Sequence, residues 1–190
     1  MAIPLGLFTP TPIIAPWPVP LSDPYSPLYM RCRGGTNIGD GAAGRDVQNW
    51  AVEYQAGLIK VMDSTGLVQY AILATGVLGV SLAFDQNMSP CIAYMKADGA
   101  RLYYYDSVLP GYTTLFFAGY DSCRLAVDKL DSFFGGQSDV MLAYTVGGQA
   151  YFRQQRDRFN IQYPIGPAPH PVMRFGPSIE NRLQLQLLTP

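Results

Sequence analysis

The densest group of reactive side chains is the run Arg153-Gln-Gln-Arg-Asp-Arg158, three guanidiniums beside one carboxylate. Guanidinium forks hold phosphate or carboxylate through paired hydrogen bonds, so the run has the makings of an anion clamp. The same spacing also serves a turn, because Arg153, Arg156 and Arg158 can bind turn carbonyls or Asp157 and stack on Tyr151 or Phe159. Its place between two strand-like segments favours that second use, as a structural or subunit-contact cluster.

Other constellations carry less. Gly39-Asp-Gly-Ala-Ala-Gly44 fits G-x-G-x-x-G with Asp63 downstream, but a dinucleotide fingerprint needs an apolar strand before it, and here Met30-Arg-Cys-Arg-Gly34 precedes. Asp106 and Asp121 are the carboxylates a glycoside hydrolase would need, yet nothing around either marks it as buried or paired. Asp85 and Asp128 follow similar segments at equivalent places, where a carboxylate accepts amide protons of the next turn. His170 is the single histidine, set between Pro169 and Pro171. Cys32, Cys91 and Cys123 are odd in number and far apart, which suits small buried hydrophobes better than a disulfide framework or a metal knuckle. The expectation is a chain with no enzymatic activity, cofactor, metal or small-molecule substrate.

Composition narrows the classes further. Over 190 residues, Lys+Arg number 13 and Asp+Glu 14, so no positive excess exists to neutralise a nucleic-acid backbone, and DNA binding is not expected. Charged residues make up 14%, too few to cover a free surface, while aromatic residues reach 13%. Mean hydropathy is only +0.07 and no long apolar run occurs, so membrane insertion is not expected and burial against protein partners accounts better for the missing charge. The opening Met1-Ala-Ile-Pro-Leu-Gly lacks the basic region of a secretory leader, which points to synthesis in a cytoplasm.

The elements that position these residues read as two parts: an arm and loop over 1–43, and a β domain over 44–190. Prolines at 4, 10, 12, 16, 18, 20, 24 and 27 fix φ and remove amide donors, so the N-terminus reads as an extended arm. Its Ile13, Ile14, Trp17, Val19, Leu21 and Tyr25 are too apolar for a solvated linker, and Trp17 and Tyr25 are its contact candidates, in cis or in trans. A Gly-rich loop follows over 33–45. Alternation from Trp50 through Tyr54 then reads as strand, with further strands over 58–62 and 67–72.

An internal near-repeat is the most informative feature. Ser81-Leu-Ala-Phe-Asp85, Cys91–Met95, the turn Asp98-Gly99, Arg101–Tyr105 and Thr114–Phe117 are followed in the same order by Arg124-Leu-Ala-Val-Asp128, Val140–Tyr144, Gly147-Gly148, Ala150–Arg153 and Phe159–Tyr163. Two four-stranded antiparallel meanders over about 81–117 and 124–163 are expected, of the length of propeller blades, with a third, shorter unit over 49–80. The fold class is all-β, either a partial propeller or a sandwich. In Tyr103-Tyr-Tyr105 both faces of a strand are aromatic, so at least one ring should be buried. The alternating Asn181-Arg-Leu-Gln-Leu-Gln-Leu187 predicts a final half-buried strand.

The order of Gly44-Arg-Asp46, a Trp50 strand, Leu82-Ala-Phe-Asp-Gln86, Arg101-Leu-Tyr-Tyr-Tyr-Asp106, Ser138-Asp-Val-Met-Leu-Ala-Tyr144, Tyr151-Phe-Arg-Gln-Gln-Arg-Asp-Arg-Phe159 and Asn181-Arg-Leu-Gln-Leu185 resembles virion tail proteins of tailed double-stranded DNA bacteriophages. The resemblance covers roughly 44–187 and excludes the Pro-rich arm. It implies a structural particle component, assembled in the host cytoplasm, localised to the virion, with other virion subunits and copies of itself as partners. The alternative is a carbohydrate- or host-receptor-binding β module, using exposed rings such as Tyr104 or Tyr105.

Overall fold

A computed structural model describes residues 26–34, 48–85, 87–128, 139–168, 173–177 and 183–187. Trp17, Tyr25, the glycines at 35–44 and His170 lie outside the described residues.

The first sheet runs β1 (Tyr29–Gly34), β2 (Gln48–Gln55), β3 (Leu58–Met62) and β4 (Val68–Leu73), paired antiparallel in that order. The second runs β5 (Gly79–Phe84), β6 (Pro90–Lys96), β7 (Gly99–Asp106) and β8 (Gly111–Ala118). The third runs β9 (Ser122–Asp128), β10 (Asp139–Val146), β11 (Gln149–Gln154) and β12 (Tyr163–Pro167), and a hairpin of β13 (Met173–Pro177) and β14 (Leu183–Leu187) follows. All-β architecture in blade-like four-stranded meanders is therefore what the chain adopts. No helix among the described residues is long and apolar enough to cross a membrane.

Each meander turns at its centre through two residues. Gln55 pairs with Leu58 around Ala56-Gly57 and Val146 with Gln149 around Gly147-Gly148, both central residues having positive φ, the hairpin geometry that matches strand twist. Lys96 pairs with Gly99 around Ala97-Asp98.

The sheets stack face to face, and the second is buried on both sides. Trp50, Val52, Ile59 and Val61 of the first sheet pack on Val80, Leu82, Phe84 and Ile92 of the second. From the opposite face, Cys91, Ala93, Leu102 and Tyr104 meet Leu125, Val140, Leu142 and Tyr144 of the third. Strand alternation makes this possible, because successive side chains of β5, β6 and β7 point to opposite faces and nearly all are apolar. The Tyr triplet divides accordingly: Tyr104 is 2% exposed and meets Phe159 edge-on, while Tyr103 faces the first sheet.

The first strands of the three sheets lie together, with β5 between β1 and β9. Val80 is fixed from both sides: its N–H donates to the Pro27 carbonyl at 2.9 Å, and its carbonyl accepts from Arg124 at 3.5 Å. Ser81, 1% exposed, ties all three strands through one hydroxyl, donating to Met30 Sδ of β1 at 3.3 Å and accepting from the Leu125 N–H of β9 at 2.9 Å. The sheets thus fan out from adjacent inner strands without closing into a barrel.

Two segments differ from the expectations. The first unit is a full four-stranded sheet, because Tyr29–Gly34 inside the stretch read as arm and loop is a strand: Met30 and Cys32 alternate with Arg31 and turn toward the core, a period the flanking prolines and glycines obscure. The stretch Phe159–Tyr163 is not the last strand of the third unit. Gln155–Asp157 forms a 3-10 turn, Arg158 and Phe159 take φ of 53° and 57°, and β12 begins only at Tyr163. Burying Phe159 beneath Tyr104 requires that turn, and the prolines at 164 and 167 are tolerated because β12 is the sheet's edge.

Candidate functional site

The turn from β11 to β12 carries the arginine cluster, and each guanidinium points to a different partner. Arg153 leaves β11 on the face toward the second sheet and lies 5.1 Å from the Phe117 ring and 5.7 Å from Tyr144. It donates to the Tyr120 hydroxyl at 3.0 Å, to the carbonyls of Phe159 and Asn160 at 2.8 and 2.9 Å, and to Gln162 Oε1 at 3.3 Å. Turn carbonyls are thus bound as expected, but the rings are Phe117 and Tyr144 rather than Tyr151 or Phe159. Under Arg153 the rings of Phe117, Tyr120, Tyr144 and Tyr151 follow one another, with Tyr120 and Tyr144 stacked at 3.8 Å.

Arg156 pairs with Asp139 at 2.6 Å, and its backbone N–H donates to the same carboxylate at 3.1 Å, which fastens the turn to the start of β10. Asp157 accepts from the Tyr163 hydroxyl at 2.7 Å. Arg158 crosses to the second sheet and holds Asp106 at 2.6 Å. Asp106 also accepts from the amides of Val108 and Leu109, and a cleft of about 430 Å³ opens beside the pair. Three arginines brought together in sequence are therefore separated in space by their own partners, and no open phosphate clamp results.

Burial alone would raise the Asp106 pKa, but the Arg158 guanidinium and then the Val108 and Leu109 amides outweigh it and hold the carboxyl below its usual range. A carboxylate lowered in the folded state stabilises the fold above its unfolded pKa, about 3.9, and that contribution is lost as pH falls through the folded value. Thermal melts from neutral to strongly acid pH should accordingly show Asp106→Asn less stable than wild type near neutrality, with the gap narrowing in acid. Parallel curves at every pH would show that the Arg158 bond does not operate.

The remaining acids serve turns. Asp85 accepts from the N–H groups of Asn87 and Ser89 at 2.9 and 2.8 Å, the turn-holding use expected for it. Asp121 accepts from the Gly147 N–H at 3.0 Å. Asp106 and Asp121 lie beyond opposite ends of the eight-residue β8, about 25 Å apart at ~3.3 Å per residue, whereas a glycosidase pair needs carboxylates within about 10 Å. Cys91 and Cys123 are buried and free, as is the half-buried Cys32, and burial pushes the Cys123 and Cys32 thiols up to about 12, which keeps them protonated and inert. No metal-holding group of His, Cys, Asp and Glu occurs among the described residues.

Tyrosines collect at the outer part of the second sheet. Tyr103 and Tyr112 stack at 4.7 Å, and Tyr105 meets Tyr112 edge-on at 5.5 Å. Tyr104 is in the core and offers no platform to a sugar, whereas Tyr105 is half-buried and Tyr112 is exposed. Exposed apolar side chains stand in two groups, on and just before β4 and in the turn after β7, and also at Leu78, Phe116, Ile161 and Ile165. On the first, Leu67 and Leu73 are 62% and 86% exposed, with Val68 and Tyr70 also outward; on the second, Val108 and Leu109 stand free.

The sequence missed Asp106 and Asp139 as partners of the arginine run, since they lie 52 and 17 positions away. No local pattern marks such pairs. No family model, curated protein or solved structure matches the chain.

Proposed function

We propose that the chain is a non-enzymatic structural subunit of a tailed-phage particle, at the tail or head-to-tail region, working by packing against copies of itself and other virion subunits. The observation that carries this reading is the free edge of the first sheet. Among the described residues β4 is the outermost strand of its sheet with no partner on its outer edge, it carries Val68, Tyr70 and Leu73 with Leu67 just before it, and apolar edges of this kind pair with or pack against another chain. A surface with so little charge agrees with it. The internal commitment of Arg153, Arg156 and Arg158 also supports a structural role, since none is left to grip a substrate phosphate.

Sedimentation of the full chain should reveal a defined oligomer, and Leu73→Lys should weaken its association by about tenfold or more, because truncating or charging a central apolar contact commonly costs upward of 1 kcal/mol. A monomer at every concentration, or an oligomer indifferent to Leu73→Lys, would remove the basis for this use of β4. Peptide mass spectrometry of purified tailed particles tests the virion placement separately: absence of the chain from such particles overturns it.

A further inference from the structure

Where the three innermost strands begin, the chain leaves a cleft of about 410 Å³. Pro27 just before β1, Gly79 opening β5 and Ser122 opening β9 all line it, so the cleft sits at the point from which the sheets fan out. Its charged groups are Lys96, Arg124 and Asp121, and Leu78 and Met95 supply apolar wall.

The two cations are under-used. Arg101, Arg156 and Arg158 form ion pairs with Asp98, Asp139 and Asp106. Lys96 is in none of them, its charge acting only at longer range on the Asp98 carboxylate, and among the described residues Arg124 makes one long bond, of 3.5 Å, to the Val80 carbonyl. Asp121 gives one oxygen to the Gly147 N–H and keeps the other. Ser122 Oγ shares one bond of 2.9 Å with Thr145 Oγ1 and retains further capacity. Two cations against one carboxylate leave a single net positive charge, the complement of a monoanion. The volume falls in the range of about 300–1,000 Å³ that organic ligands occupy, well above what a bare inorganic ion fills. A free carboxylate oxygen and a hydroxyl are partners for ligand hydroxyls, and Leu78 and Met95 suit the apolar face of a pyranose ring.

We propose that this cleft binds a carboxylate-bearing sugar, with the sugar carboxylate on Lys96 and Arg124 and ring hydroxyls on Asp121 and Ser122. The site is independent of the assembly reading, which rests on β4. Glucuronate, glucose and acetate, titrated separately into the full chain by calorimetry, test it. Glucuronate should bind, with glucose and acetate each weaker by about tenfold or more, since each lacks half of the recognition. Lys96→Gln and Arg124→Gln should each weaken glucuronate by about tenfold while the thermal melt of Lys96→Gln stays that of the wild type. Absence of glucuronate binding at millimolar concentration, acetate binding as tightly as glucuronate, or full binding by both variants would overturn the proposal.

Discussion

Gly99→Ala should be the most damaging single methyl that can be added to the described fold. Gly99 opens β7 directly after the tight turn from β6, is buried, and has φ of +135°, a region L residues rarely enter. A Cβ built there would lie 2.2 Å from the Phe117 carbonyl oxygen, with the backbone of Ala118 and Gly119 close behind. These obstacles are main chain of β8, which is hydrogen-bonded to β7 along its whole length, so none can swing aside as a side chain would. Backbone strain and overpacking together set the loss at about 4 kcal/mol. Gly119→Ala is the matched control, because it also has positive φ, of 71°, but nothing within 4 Å, and should lose only about 1 kcal/mol. Urea unfolding of the two variants gives the comparison. Equal losses would mean that the close approach of β8 to Gly99 does not exist.

The second large effect is expected from Ser81→Ala, a change that removes one oxygen. That hydroxyl is the acceptor for the buried Leu125 N–H and the donor to Met30 Sδ, so its loss strips a main-chain donor of its partner where water cannot replace it. An unsatisfied buried donor costs about 2 kcal/mol, more than the net value of an average hydrogen bond. Hydrogen exchange separates this from general loosening. The Leu125 amide should lose protection well beyond that of the neighbouring β9 amides of Arg124 and Ala126, whose partners Ala143 and Met141 lie on β10. If Leu125 stays as protected as its neighbours, the hydroxyl is not what holds the first strands together.

Much of the fold could be read from residues alone, for a local reason. Each sheet is built from strands consecutive in sequence, and their boundaries coincide with Gly-, Asn- or Asp-bearing turns, so period-two alternation and turn chemistry together located β2 to β11 and β14. The Asp85 turn was legible because its partners are two and four residues away. β1 was not, since its alternation covers only six residues between a proline and glycines. The tight turn at Phe159 was not either: its conformation is dictated by Tyr104 of another sheet and by Arg153, and an isolated reading sees only an apolar residue near Ile161 and Tyr163. The cluster of arginines was found as a cluster, but its meaning lay in Asp106, which proximity in sequence cannot reveal. The cleft at the strand starts left no sequence signal at all, because Lys96 and Arg124 come to line one cleft only when the second and third sheets stack.

The stacking order also bears on how the chain emerges from the ribosome. Every strand of the first sheet is available once residue 73 has been made, and its hairpins close locally and quickly. Its inward face, however, bears Trp50, Val52, Ile59 and Val61, and their cover comes from residues 77–92. The nascent protein therefore passes through an interval with one apolar sheet finished and unshielded, and the interval ends only when β5 and β6 have left the tunnel. The middle sheet repeats the exposure toward the third. Translation speed through residues 74–146 thus sets how long sticky faces stand open to other chains.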